Sequence, residues 1–545
     1  MEAFYLVRLD VICLAVLTGL IIFLLTRKGR ANLPPGPFAW PLIGNLAMLD
    51  KQVHLQISKL SEKYGPVFRL YFGPKLVIVV SGRKLVEECL NTRTIEFSMR
   101  PDFITTKYIL KGRSFAFGNT TVARHLKLRK LAMWAMKNSL NSSEKNAACH
   151  QLRERNNEET TFIAAEMSNN NSLEEQLSED ANELGNKLVD IYEQWEATHG
   201  TVLHPSCKSY TEKFFETILT VSVKTMASTI LVKRYEYNDA QLKVLAKCMN
   251  DFKTIDQKVG LINFCTIARV FCRKRLKSYI ALCESYTRIV EKHIQMQKKK
   301  LETHNLPNNS THSLEANMIS NVLVNKAKTD EENEADATTV VGDMFGASVD
   351  STSVALMWII LYFAKFPFQF YKVQTAIDDF YGKNGRLPSF EERHQVPQML
   401  AFIQETLRHT SILPFTIPHT PVQDTTLGGY SIPHGAVIMI SLWSLNKDQE
   451  FWGDPETFRP DRYFDDNNEY DRRLAQKVNV HGAGRRGCPG KNFSEMVLFT
   501  FAANLARSFD FKCFGPDANV LPKALLGISL TPEIIDVKVT ERQSN

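Results

Sequence analysis

No CxxC pair and no zinc-type spacing occurs among the ten cysteines, which lie scattered at 13, 89, 149, 207, 248, 265, 272, 283, 488 and 513. A structural zinc site needs ligands in close pairs, so that class is excluded. Isolated cysteines suit a reducing compartment and argue against disulfides. Also missing is any dense Lys/Arg block with interleaved aromatics, and the net charge is only +7 over 545 residues. That balance excludes a nucleic-acid binder and suits an anionic membrane surface or an acidic protein partner. There is no internal repeat, and no Gly/Ser-rich or Pro-rich linker occurs after residue 50. One large domain over 51–545 is therefore expected, rather than the three or four that length alone suggests. At 44% hydrophobic and 23% charged, the chain has ample material for a core, which excludes disorder.

The first 26 residues read as a membrane anchor. From Phe4 to Leu25 the run is apolar apart from Arg8, Asp10 and Thr18, and a bilayer core needs about 20 such residues as helix. The alternative, a cleaved signal peptide, lacks a small-x-small cleavage site before "RKGR". Arg27, Lys28 and Arg30 place the remaining chain on the cytoplasmic side by the positive-inside rule. Residues 27–50 form a basic, Pro-rich hinge stiffened by Pro34, Pro35 and Pro37.

Beyond the hinge, Tyr64–Gly82 alternates and ends in β-branched residues, predicting a hairpin around Gly73-Pro74. Most of the remainder is helical in pattern. The Asn-rich, charged stretch near 142–171 reads as an exposed insertion.

Three motifs carry chemistry. In "HGAGRRGCPGKN", a single cysteine, Cys488, stands among Gly482, Gly484, Gly487 and Gly490 and beside Arg485 and Arg486. An unpaired cysteine is commonly a small core filler. Here the glycines let the backbone approach something flat, and the arginines favour a thiolate, so a ligand is expected. In "AFIQETLRHT", Glu405 and Arg408 stand three apart on a helix, a surface salt bridge unless Arg462 of "FRPDRYF" completes a buried network with them. The helix "TTVVGDMFGASVDSTSVALMWIILYFA" is apolar nearly all round, hence buried, yet carries Asp350, Ser351 and Thr352 at its middle. Either the hydroxyls bond back to the preceding turn, or the three serve chemistry; a buried unpaired carboxylate is the harder to dismiss.

On these motifs the chain resembles the cytochrome P-450 superfamily of haem-thiolate monooxygenases, from the apolar N-terminus and "LPPGP" to the final strands. The signature F-x-x-G-x-R-x-C-x-G falls on 481–490, matching Gly484, Arg486, Cys488 and Gly490. The resemblance implies a fold that is mainly α with small β-sheets (α+β) behind an N-terminal transmembrane helix. It implies haem b as cofactor, with Cys488 as the thiolate ligand of the metal. Electrons would come from NADPH through a flavoprotein, NADPH-cytochrome P-450 reductase, with cytochrome b5 as a second candidate donor. Glu405, Arg408 and Arg462 match a structural triad; Arg129, His419 and Arg486 match positions that pair haem propionates. "DMFGASVDSTS" and "RKLAM" look most like the microsomal branch holding steroid 17α-hydroxylase and the aryl-hydrocarbon hydroxylases. This implies an enzyme of the endoplasmic reticulum membrane, its domain cytoplasmic, that oxidises a lipophilic substrate in a pocket walled by Phe115, Phe117, Phe345, Ala347, Ile412, Phe415 and Leu525. A basic face of Lys127, Lys130, Arg485 and Lys491 would dock the acidic flavoprotein.

Four positions depart from the family: His481 for Phe, His125 for Trp, Ser348 for Gly and Ser351 for Thr. The His481 ring either donates to the thiolate or faces away, and His125 can donate to a propionate as the indole would. Ser348 either fills the dioxygen groove of the helix or bonds within it. These departures keep two rival readings open: a haem-thiolate isomerase or dehydratase that needs no reductase, and a non-catalytic haem-binding sensor or carrier of lipophilic ligands. Ser351 keeps the hydroxyl of a proton relay but loses the methyl that fixes its rotamer. Wild-type protein is therefore expected to release more peroxide per substrate consumed than Ser351→Thr; equal coupling in the two would count against a relay at this position.

Overall fold

The computed structural model describes residues 18, 32–50, 52–118, 122–140, 172–199, 208–264, 271–303, 318–323, 330–514, 518, 520–533 and 535–543. Apart from residue 18, the expected anchor, the start of the hinge and the 142–171 insertion lie outside these residues.

Stretches free of internal proline, with apolar residues recurring every three or four positions, form the long helices. They are α1 (Val53–Tyr64), α2 (Val122–Leu140), α3 (Leu173–His199), α4 (Lys208–Ile230), α5 (Ala240–Val259), α6 (Arg273–Thr303), α7 (Asp330–Lys365), α8 (Pro367–Asn384), α9 (Pro397–Thr410) and α10 (Lys491–Ser508). Proline opens α8 and α9, where its missing N–H has no partner to lose. The strands are short: β1 (Val67–Phe72), β2 (Lys75–Val80), β3 (Thr425–Leu427), β4 (Tyr430–Ile432), β5 (Val437–Ile440), β6 (Phe509–Cys513), β7 (Ala524–Leu526), β8 (Leu530–Pro532) and β9 (Val537–Glu541). They make four small sheets, β1-β2-β5, β3-β4, β6-β9 and β7-β8. The hairpin predicted over 64–82 is present, with Phe72 opposite Lys75 at its tip and Val67 opposite Val80 at its base. β5 adds in parallel to β2. The described part of the hinge runs beside β1, with Arg69 donating from its backbone N–H to Pro35 O at 2.7 Å.

Helix α7 occupies the middle of the main core, packed by α4, α6 and α10. It is long and apolar enough to cross a membrane by composition, but 72% of its most apolar window is buried in the protein. An apolar surface on all sides suits that position. One stretch breaks the burial: Ala347 is exposed and Gly346, Ser348, Asp350 and Ser351 are half-buried, while Phe345, Val349 and Thr352 are closed. At 3.6 residues per turn these two sets occupy opposite sides of the helix.

Two polar networks hold the surrounding segments. In the first, Arg408 is fully buried and bonds both oxygens of Glu405, at 2.8 and 2.9 Å. Its other donors reach the carbonyls of Asn446, Pro455 and Thr457 at 2.8, 2.8 and 3.2 Å. Arg462 Nε meets Glu405 Oε1 at 3.0 Å. Asn446 carries the connection onward: its side chain exchanges two 3.0 Å hydrogen bonds with the backbone of Asn479, two residues before His481. In the second network, the buried Asp343 of α7 accepts from Ser114 Oγ at 2.8 Å and from the N–H groups of Phe115 and Ala116 at 2.7 and 3.1 Å. Burial pushes the Asp343 carboxyl from 3.8 up to about 6, against the pull of these three donors.

Glu405→Ala leaves a buried guanidinium without its carboxylate and is expected to cost about 3–5 kcal/mol in chemical denaturation, whereas a cost near zero would mean that Arg408 finds water. For Asp343, a folded-state value above the unfolded 3.8 means stability that is complete below pH 3.8 and lost as pH rises through about 6. Across that window the wild type is expected to lose roughly 3 kcal/mol relative to Asp343→Asn; parallel stability profiles would show that the carboxyl does not titrate there.

Candidate active site

The cysteine loop is shaped by its own chain. Gly482 and Gly484 have φ of 62° and 63°, in the left-handed region. A Cβ on Gly484 would lie 1.7 Å from Leu90 O and 2.7 Å from Thr94 Oγ1. The close approach this glycine permits is thus to residues 90–94 rather than to a flat ligand. The Cys488 N–H donates to His481 O at 2.7 Å, folding the loop back on itself. No hydrogen bond joins the His481 ring to any described residue, and burial lowers that imidazole to about 4, keeping it neutral.

Cys488 is exposed, yet its thiol is raised by desolvation. Both hold because the thiol opens on a space inside the protein. A Cβ on Gly490 would sit 3.5 Å from Met344 Cε of α7 and 4.0 Å from Cys488 Sγ. Met344, Ala347 and Ser351 succeed one another by three and four residues, so the accessible face of α7 is turned toward the cysteine loop. The Gly490 N–H, then Arg129 and Lys491, favour the thiolate. Arg485 and Arg486, expected from sequence to do so, are directed elsewhere. Arg486 donates to Ser98 O at 2.7 Å and Phe115 O at 2.8 Å. Arg485 engages through its backbone, its N–H donating to Thr94 Oγ1 at 3.0 Å.

Around this space lie three arginines that no carboxylate pairs among the described residues: Arg100, Arg129 and Arg486. Arg100, nearly fully buried, donates to Ala116 O at 2.9 Å, Ile417 O at 2.8 Å and Pro418 O at 3.1 Å. Arg129 donates to Gly487 O. Desolvation pulls all three below the usual arginine range, Arg486 to about 10. His125 Nε2 donates to Arg485 O at 3.2 Å, which leaves Nδ1 to accept from Arg486 at 2.7 Å. Both its nitrogens therefore have protein partners, and burial followed by Arg486 lowers it to about 4. His419 donates from Nδ1 to Phe97 O at 2.6 Å and is held neutral by burial and Arg100. Buried cations without counter-ions are costly. An accessible thiol, a slot against α7 and an excess of guanidinium together fit a flat metal-bearing ligand with carboxylate arms, as haem b is. Arg100 escapes sequence reasoning because a single arginine in "SMRPD" has no spacing signal; only its burial and three carbonyl partners single it out.

On the α7 side, Asp350 Oδ2 accepts from Ser529 Oγ at 2.7 Å. Ser351 donates to Ala347 O at 2.8 Å and Ser348 to Phe345 O at 2.9 Å. Both hydroxyls bond back along the helix, leaving their lone pairs free to accept. Thr352 is buried on the opposite side. Of the expected pocket walls, Ala347 is exposed and Phe117, Phe415 and Leu525 half-buried, whereas Phe115, Phe345 and Ile412 are closed in the core. The β7–β8 hairpin is fastened by Leu530 N–H to Ile412 O and Trp358 Nε1 to Leu530 O, both 2.8 Å, which sets Ser529 against Asp350. Lys127, Lys130 and Lys491 are exposed and Arg485 half-buried.

The Cytochrome P450 family matches residues 34–174 and 177–539 of this chain. The chain is 28% identical over 505 residues to cytochrome P450 1A1 of Oryctolagus cuniculus, covering 92% of this chain and 90% of that protein. It is 27% identical to cytochrome P450 1A5 of Gallus gallus (95% and 92% covered) and 29% identical to cytochrome P450 1A1 of Rattus norvegicus (91% and 89%). Matched over nearly its whole length and carrying a site that fits the group, the chain belongs to the cytochrome P450 family: it is a haem b monooxygenase, an oxidoreductase drawing NADPH-derived electrons through a reductase.

Proposed function

We propose that this protein is a microsomal hydroxylase of lipophilic substrates, steroid-like or aromatic. Its anchor lies in the endoplasmic reticulum membrane, with the domain on the cytoplasmic side. The observation that carries this reading is the accessible Cys488 thiol facing the opened side of α7 across a space rimmed by unpaired guanidiniums.

Haem b, held by the Cys488 thiolate, would supply the activation of dioxygen. The residues of the chain do the rest. Arg129 and Lys491 offset the desolvation that disfavours the thiolate. Arg100, Arg129 and Arg486 would neutralise its carboxylate arms, with His125 orienting Arg486 and His419 beside them. Asp350, its carboxylate fixed by Ser529, and Ser351 hold the proton path, Ser351 accepting at its oxygen while its own O–H donates to Ala347 O. Thr352 closes the helix behind them. Ala347, Phe117, Phe415 and Leu525 wall a dry cavity for the substrate. Glu405, Arg408 and Arg462 hold the loop that presents Cys488. The face with Lys127, Lys130, Arg485 and Lys491 receives NADPH-cytochrome P-450 reductase, and cytochrome b5 as a second donor.

Absorbance of the dithionite-reduced, carbon monoxide-exposed protein tests the reading. Wild type is expected to show the far-red-shifted Soret band of thiolate ligation and Cys488→Ser to lose it. Haem binding without that band in the wild type would remove Cys488 as ligand. Product from steroid or aryl substrates that forms only with NADPH and reductase is the second expected result; product without them would favour an isomerase or dehydratase.

A further inference from the structure

The segment 114–117 carries two hydrogen-bond chains that run from one carboxylate to two arginines. Asp343 of α7 is buried, and no Lys or Arg pairs with it among the described residues. In the first chain, Asp343 Oδ2 accepts from the Ala116 N–H at 3.1 Å. The carbonyl of that same peptide group, Phe115 O, accepts from Arg486 Nη1 at 2.8 Å. In the second chain, Asp343 Oδ1 accepts from Ser114 Oγ at 2.8 Å, and Ser114 Oγ accepts from the Phe117 N–H at 3.0 Å. The carbonyl of that next peptide group, Ala116 O, accepts from Arg100 Nε at 2.9 Å. Each carboxylate oxygen thus reaches a different guanidinium through one peptide group, whose N–H is turned toward the acid and whose C=O is turned toward the base.

Hydrogen bonds in series polarise one another, so a carboxylate at the N–H end of a peptide makes its carbonyl a stronger acceptor. Part of the charge of Asp343 is felt in this way by Arg486 and Arg100, which have no carboxylate of their own among the described residues. The link is indirect, and neither guanidinium is neutralised as Arg408 is by direct contact with Glu405. Their Nε and Nη1 groups are held by Ser98, Phe115, His125, Ala116, Ile417 and Pro418, while Nη2 of each has no protein acceptor among the described residues. A guanidinium fixed on one side with donors left over on the other is prepared for a carboxylate.

We propose that Asp343 is a positioning residue for the cofactor: through the peptide groups 115–116 and 116–117 it holds Arg486 and Arg100 so that their remaining donors meet the carboxylate arms of haem b. The inference rests on the assignment of these arginines to those arms. It adds to the site a group on α7 that touches neither the cofactor arms nor the cysteine loop. An amide at 343 has nearly the shape of the acid, but a neutral acceptor makes hydrogen bonds roughly half as strong, and both chains are weakened together.

Transfer of haem from the full-length ferric holoenzyme in detergent to excess apomyoglobin, followed by absorbance, measures retention without turnover. Asp343→Asn is expected to release haem roughly tenfold faster than wild type, and Ser114→Ala, which cuts only the chain to Arg100, roughly threefold faster. In an Arg486→Lys background, Asp343→Asn is expected to add only about threefold, the share that passes through Arg100, because the other chain has already lost its end. A full tenfold in that background, or release at the wild-type rate in Asp343→Asn, overturns the inference. If Asp343→Asn does not fold, Ser114→Ala and Arg100→Lys form the equivalent cycle, and effects that multiply there overturn it equally. Wild type that shows the thiolate Soret band, with variants that release haem at its rate, removes the inference alone. Wild type that takes up no haem removes the cofactor site and the inference with it.

Discussion

Arg408 tolerates complete burial because each of its donor groups has an acceptor: two oxygens of Glu405 and three backbone carbonyls. A guanidinium satisfied in this way is rigid, and it makes α9 a fixed point for segments distant in sequence. Through Asn446 the same network reaches Asn479, which stands at the entrance to the cysteine loop. The position of Cys488 therefore depends on a buried ion pair some eighty residues earlier in the chain.

The cysteine side of the molecule shows the converse. Arg100, Arg129 and Arg486 are also desolvated, but their protein acceptors are neutral carbonyls and a neutral imidazole. Carbonyls orient a guanidinium without cancelling its charge. The contrast between these arginines and Arg408 separates a structural network from a ligand site within one fold.

Helix α7 serves as both core and site. Its closed side packs Phe345, Val349 and Thr352 in the interior, and its opened side presents Ala347, Asp350 and Ser351. The serine hydroxyls bond back to carbonyls of the preceding turn, the blander of the two roles that the sequence allowed. Back-bonding commits the proton and leaves the oxygen free to accept. Asp343, two turns before Asp350, takes a different part in pinning residues 114–116. Two carboxylates seven residues apart share one side of the helix and have separate duties because they meet different segments, residues 114–116 and Ser529.

What the sequence determined by itself is what depends on neighbours along the chain. The glycine-flanked cysteine, the i, i+3 spacing of Glu405 and Arg408, the alternating hairpin over 64–82 and the wholly apolar α7 are local patterns with local physical causes. They are enough to reach the family, its cofactor and the outline of the fold. Tertiary structure alone decided which groups turn toward the site. Arg485 and Arg486 leave the thiol to Arg129 and Lys491; Phe115, Phe345 and Ile412 close into the core; and Arg100 and Ser529 are singled out only by partners far away in sequence. Spacing fixes which residues share a face. The direction in which a side chain points, and whether its charge is compensated there, is set by packing between segments hundreds of residues apart.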